Sequence, residues 1–229
     1  MSHSKEFKAY ATKHLNLPSS IVEGYMGETS TQPQGLTPNV MERQFKPYQV
    51  TSVFDRLMQD RIIFLCAPVE RYNSSVISAQ MLYLASVDPK KPIEFYLNTP
   101  GGSVYDGLAI YDTMQLIPCA VHATAIGMAA SMGAILLSGG EKGKRSALPH
   151  ARVMIHQPMG GTQGRMNDME TDVKQILRLG EELYNIIASH SGQTLEKVRQ
   201  DARSDFWMTA KEAQDYGIVD HVVSKKIKK

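Results

Sequence analysis

Apolar and polar positions along the chain follow two alternating rhythms. Short apolar runs of strand length occur at Ile62 to Cys66, Ile93 to Leu97, Ala120 to Ile126, Arg152 to Ile155 and Val219 to Val223. Between them lie segments of helical period, Ser74 to Ser86, Tyr105 to Leu116 and Ser131 to Leu137. This alternation predicts a layered α/β fold of parallel strands joined by crossover helices. After Gly160 and Gly161 the pattern changes to one long helix, about Asn167 to Ser189, with Met169, Val173, Ile176, Leu183 and Ile187 on a single stripe. Such a helix packs on its own core or on another chain, and Gly160 to Gly164 reads as its hinge or as an extended edge.

Composition narrows the class. The chain has 229 residues, 42% of them hydrophobic, enough for one main domain that buries roughly 70 to 75% of its unfolded surface. A formal charge of +2 leaves no electrostatic footprint for nucleic acid, and the basic end Lys225 to Lys229 reads as solvated. The longest apolar run, Ile126 to Leu137, is too short to span a membrane and reads as core. Cys66 and Cys119 both sit in apolar runs and are expected as buried thiols, with no disulfide framework, no metal cluster and no cofactor motif. A reducing, cytoplasmic setting follows. Residues 1 to 35, with Gly24, Gly27, Pro33, Gly35 and the polar run Thr29 to Gln32, read as a flexible extension or a trimmed propeptide ahead of a domain at 36–229.

The candidate chemistry starts at Gly127 to Ala134, where Ser131 stands among small residues at the junction of an apolar strand and an apolar helix. A buried hydroxyl without a partner costs about 1 to 3 kcal/mol, so Ser131 should bond to its own backbone or face a partner. Taken singly, a serine in such a run is a packing residue or a helix cap, and His156 at the end of Val153 to Ile155 is structural. Two further signals join them. Asn98-Thr99-Pro100-Gly101-Gly102-Ser103 is a glycine turn between strand and helix whose free amides suit an oxyanion or a phosphate, although no phosphate-loop lysine follows. Asp201 and Asp205 precede Trp207, the only tryptophan, which would shield a carboxylate that orients a histidine. Asp205 otherwise reads as the start of a turn before a helix opened by Thr209, with Glu212 completing a capping box.

Those blocks, Asn98 to Val104, Gly127 to Ala134, Met154 to Pro158 with Gly160 and Gly161, and Asp205 to Met208, resemble the proteolytic subunit of the Clp protease over about Leu36 to Val223. The resemblance implies a crotonase-like spiral of stacked βαβ units with a protruding handle helix. It implies Ser131 as nucleophile, His156 as general base, Asp205 as orienting acid, and Gly102 and Met132 as donors of the oxyanion-hole amides. It also implies two stacked seven-membered rings, polypeptide substrates delivered by a separate AAA+ unfoldase, and a docking rim that draws on Tyr96 and Leu116. Independently of the name, a serine needs a neighbouring imidazole to take its proton and a carboxylate to fix the tautomer, whatever their order in the chain.

The chain departs from the family pattern in one place. Where the family commonly carries an arginine just before the triad aspartate, this chain has Ser204, while Arg165 stands in the glycine hinge where glutamine is usual. Arg165 is therefore expected to supply an inter-ring ion pair, with Asp168 or a carboxylate of the facing ring. Two other readings stay open: a noncatalytic ring subunit working with a sister subunit, and an acyl-CoA hydratase or isomerase of the same spiral fold.

Overall fold

In the computed structural model, residues 39–42 and 49–223 are described. A first strand pair, β1 (Asn39–Glu42) and β2 (Gln49–Ser52), leads into α1 (Val53–Gln59). The main sheet then alternates with helices: β3 (Ile62–Leu65), α2 (Arg71–Val87), β4 (Ile93–Thr99), α3 (Val104–Leu116), β5 (Val121–Ala130), α4 (Met132–Ser138), β6 (Ser146–Ala147) and β7 (Arg152–Ile155). The chain continues through α5 (Met166–Ser191), α6 (Leu195–Asp201), β8 (Phe206–Thr209), α7 (Ala210–Tyr216) and β9 (His221–Val222). The expectation for residues 1 to 35 lies outside the described residues.

Strand order is β3-β4-β5-β6-β9, all parallel, with β7 parallel to β5 and β8 antiparallel to β7. Successive strand, helix, strand units wind as the expected spiral. Strand β4 shows why the layers hold: Ile93, Phe95 and Leu97 point into the core and are fully buried, while the residues between them are not. Each such side chain contributes about 1.5 to 3 kcal/mol on burial. Helices α2 and α3 pack on each other, and α4 packs on β4 and β5. Helix starts follow local chemistry: the Ser103 hydroxyl accepts the amide of Asp106 ahead of α3, and Thr209 and Glu212 form the expected capping box on α7.

Several expectations need correction. Strand β5 runs on to Ala130 rather than ending at Ile126, because it changes partner, from β6 at Thr124 and Ala125 to β7 at Met128 to Ala130. The Val219 to Val223 run is a strand only at its end. The amides of Ile218 and Val219 are spent on the carbonyl of Ala213, closing α7, and that of Asp220 on Arg145. Cys119 is buried as expected, but Cys66 is exposed, since it follows β3 where the chain leaves the sheet. The elements β1, β2, α1, β6, α6 and β8 lie outside the sequence expectation; all are short, at two to seven residues.

Behind the sheet, Arg145 is buried and grips Asp220 in a two-pronged ion pair, at 2.6 and 2.9 Å, while also donating to the carbonyl of His190 at 2.9 Å. Burial alone would raise the Asp220 carboxyl, but the hydrogen bonds from Arg145 outweigh it and hold the group at about 2. This fastens the foot of α5 to the loop before β6 and to the approach to β9.

Candidate active site

Two strand registers assemble the site. The pairing of β5 with β7 sets Ala130 beside Met154, so that Ser131 emerges next to the end of β7, where His156 follows Ile155. The pairing of β7 with β8 sets Ile155 opposite Phe206, which brings Asp205 to the same end. The resulting contacts are direct: His156 Nε2 lies 2.9 Å from Ser131 Oγ, and His156 Nδ1 lies 2.9 Å from Asp205 Oδ1. The serine thus faces a partner rather than capping its own helix.

Ser131 occupies a tight strand-to-helix turn with φ 55° and ψ −121°, one of two non-glycine residues at positive φ among those described. Holding an L residue there costs about 1 to 3 kcal/mol, and the neighbours hold it: its amide donates to the carbonyl of Met154 at 2.8 Å. The glycine turn lies directly against it. A Cβ added to Gly101 would come within 2.6 Å of both Ser131 Cβ and the carbonyl of Ala130, so only glycine permits this approach. At Gly127, where β5 changes partner, the Asn98 side chain fills the space a Cβ would take and accepts the amide of Met128 at 3.1 Å.

The two amides expected to face the reacting centre are available. Met132 is the first residue of α4 and lies outside the helical hydrogen-bond ladder. At the turn, the carbonyl of Gly101 accepts the amide of Val69 at 2.7 Å, and the carbonyl of Val69 accepts the amide of Ser103 at 2.9 Å. A trans peptide points its N–H opposite to its carbonyl, so the Gly102 N–H is turned away from Val69, and no acceptor for it occurs among the described residues. Val69 is a site residue that sequence reasoning missed. Its isolated bridge to Gly102 is a backbone contact, for which no side-chain pattern is needed.

Gly102, Ser131, Met132 and His156 line one cavity of about 320 Å³, whose far wall is apolar and includes Val104, Ile135, Leu183 and Ile187. The Asp205 carboxylate is more open than expected, with its side chain 61% exposed against 12% for His156, and Trp207 does not cover it, being half exposed itself. Asp201 stands apart from the site, accepting from Tyr216 at 3.0 Å and Lys197 at 2.7 Å. Among the described residues no group of three or more His, Cys, Asp or Glu side chains is arranged to hold a metal ion, and no helix is long and apolar enough to cross a membrane.

The long helix α5 divides along its length. Leu183 and Ile187 are buried in the core and Ile176 rests against Gly160, whereas Met166, Met169, Val173 and Leu177 are exposed on the half that projects. Arg165, at the start of α5, pairs with Asp168 of its own helix at 3.1 Å, both side chains open to solvent. Of the two residues expected at a docking rim, Leu116 is exposed and Tyr96 stacks on Phe64 with ring centres 5.1 Å apart.

Comparison with known proteins agrees with this geometry. The family model described as Clp protease matches residues 45–226. The chain is 51% identical over 223 residues, 97% of its length and 99% of the relative's, to the ATP-dependent Clp protease proteolytic subunit of Porphyromonas gingivalis. It is 50% identical to the protein of the same name from Bacteroides fragilis over 96% of this chain and 99% of that one, and 43% identical to the proteolytic subunit 1 of Salinibacter ruber over 92% and 89%. With 97% of the chain covered, the similarity takes in most of residues 1 to 35 as well, further than the four motif blocks reach. A serine, a histidine and an aspartate joined at one end of a mostly parallel sheet, beside a glycine turn, are thus carried by a chain that belongs to the Clp protease family.

Proposed function

We propose that the chain is the proteolytic core of a two-part machine, a serine endopeptidase that cuts unfolded polypeptides delivered by a separate AAA+ ATPase. The observation that carries the reading is the unbroken hydrogen-bond path from Asp205 through His156 to Ser131 beside two amides without acceptors. The names of the relatives, proteolytic subunits of ATP-dependent proteases, support the division of labour.

Each role follows from an atom's place. Ser131 Oγ attacks the scissile carbonyl carbon while its proton moves to His156 Nε2, and Asp205 holds the Nδ1 proton and stabilises the imidazolium. The negative charge that develops on the carbonyl oxygen is met by the amides of Gly102 and Met132, each such donor being worth about 2.7 to 4 kcal/mol of barrier. Collapse of the intermediate expels the amine, which takes the proton from Nε2. Water then attacks the acyl carbon, giving a proton to His156, and the serine leaves with it. General acid and base work of this kind accounts for roughly a hundred- to ten-thousand-fold in rate.

Assembly into two stacked seven-membered rings, joined through α5, gives the exposed stripe Met166, Met169, Val173 and Leu177 a partner surface. Arg165 is the candidate cation of that contact, exchanging Asp168 for a carboxylate of the facing ring, and Tyr96 and Leu116 belong to the rim that receives the ATPase. Residues 1 to 35 are read as a flexible extension or a propeptide trimmed after assembly, and the working compartment as the cytoplasm. A noncatalytic ring subunit is disfavoured because all three triad residues are present, and a hydratase because its site would not need the serine and histidine pair. The test combines cleavage of a fluorogenic peptide, fluorophosphonate labelling and native mass. Labelling and cleavage that vanish in Ser131→Ala, in a particle of ring size, are the expected result; cleavage that survives in Ser131→Ala overturns the assignment.

A further inference from the structure

Glycines cannot hold themselves in place, so the Gly101 and Gly102 turn depends on what its backbone is bonded to. Val69 pins it from one side through main-chain atoms. From the other side, Thr99 is the one side chain among the described residues that hydrogen-bonds the turn. Thr99 is fully buried. Its hydroxyl donates to the carbonyl of Ala67 at 2.7 Å and accepts the amide of Gly101 at 3.1 Å. Its methyl reaches the helix behind the nucleophile: a Cβ on Gly133 would lie 2.8 Å from Thr99 Cγ2. One buried side chain therefore touches the loop after β3, the glycine turn and α4.

We propose that Thr99 is a positioning residue for the reaction, fixing through the Gly101 peptide the direction in which the Gly102 N–H meets the developing oxyanion. The inference rests on the serine-peptidase reading above. Gly101 joins two peptide planes, one carrying the N–H bonded to Thr99 and the other the carbonyl bonded to Val69. With both bonds in place its φ of 90° is fixed, and the following N–H has one direction. Without the hydroxyl, one plane is released, the buried Gly101 amide loses its acceptor and the Ala67 carbonyl loses the Thr99 donor. An amide that is aimed wrongly weakens binding of the charged, tetrahedral state and leaves binding of the neutral substrate alone.

The experiment compares Thr99→Val, which keeps the shape and removes the hydroxyl, with Thr99→Ser, which keeps the hydroxyl and removes a methyl. Both are measured as assembled protein of wild-type mass, by peptide kinetics and by inhibition with a peptide boronate. In the boronate adduct the Ser131 oxygen adds to boron and His156 takes the proton, leaving a tetrahedral anion for the amides to hold. Thr99→Ser is expected to stay within about threefold of wild-type kcat, while Thr99→Val loses about ten- to a hundredfold in kcat with KM unchanged, and weakens boronate binding by the same factor. Wild-type kcat and boronate binding in Thr99→Val, or an equal loss in Thr99→Ser, would overturn the proposal. Should Thr99→Val not assemble, Thr99→Cys, whose thiol makes weaker bonds in the same place, must show the same split between kcat and KM, and wild-type kcat there overturns it as well. Hydrolysis absent from the wild type, or retained in Ser131→Ala, would instead be the failure of the peptidase reading, and Thr99 would fall with it.

Discussion

The amide of Ser131 donates to the carbonyl of Met154, 2.8 Å away and two residues before His156. The serine is therefore joined to the strand that carries the histidine by its own main chain, and the side-chain bond between Ser131 Oγ and His156 Nε2 is the next link in the same ladder. Preorganisation of this kind costs little at the moment of reaction, because the geometry is fixed when the sheet folds.

Removing either partner of the Ser131 to His156 proton transfer should be more damaging than removing the carboxylate that supports it. Ser131→Ala and His156→Ala are expected to lower kcat on the order of ten-thousand- to million-fold. Asp205→Ala should cost about a hundred- to ten-thousand-fold, since water reaches this open carboxylate site and partly replaces it. Peptide kinetics on assembled protein check the order, and an Asp205 variant as inactive as Ser131→Ala would contradict it.

Glycine substitutions separate close approach from ordinary packing. Gly101→Ala places a methyl 2.6 Å from Ser131 Cβ at a φ of 90°, and should cost about 1 to 3 kcal/mol of stability together with most of the activity. Gly180→Ala lies inside α5, where the new methyl meets Pro158 at 3.6 Å, and should add up to about 1 kcal/mol. Thermal melting of the two variants gives the comparison.

The foot of α5 should be sensitive to mild acid. Burial, and then the charge of Arg145, hold the His190 imidazole below its ordinary value, so the folded protein keeps it neutral where it meets the Tyr111 hydroxyl at 2.8 Å. The unfolded chain takes up the proton first as pH falls past about 6.5. Its contribution is therefore complete above that pH and is lost below it, toward the depressed native value. Melting temperature measured from pH 7.5 to 5 should fall more steeply in the wild type than in His190→Gln; parallel curves would show that another group is responsible.

The projecting half of α5 should matter for assembly and not for folding. Val173→Asp combined with Leu177→Asp changes two exposed side chains, so the subunit should keep its fold by circular dichroism while native mass shifts from the proposed double ring to smaller species. Arg165→Gln should shift the same distribution to a lesser degree, and light scattering indistinguishable from wild type would remove Arg165 from the ring contact.

Much of this protein was determined by local pattern. Apolar runs of strand length, helical periods between them and the Thr209 to Glu212 box set the α/β layering and the start of α7, because alternation and capping are properties of neighbouring residues. The small residues around Ser131, the glycine turn, His156 and Asp205 were legible as chemistry by their type and company. Tertiary structure alone decided that β5 changes partner at Gly127, that the Gly101 carbonyl meets Val69, that Trp207 leaves Asp205 uncovered, and that Arg145, Asp220 and His190 meet behind the sheet. Each of these depends on main-chain register or on side chains far apart in sequence. Periodicity carries no information about such contacts until the sheet has paired.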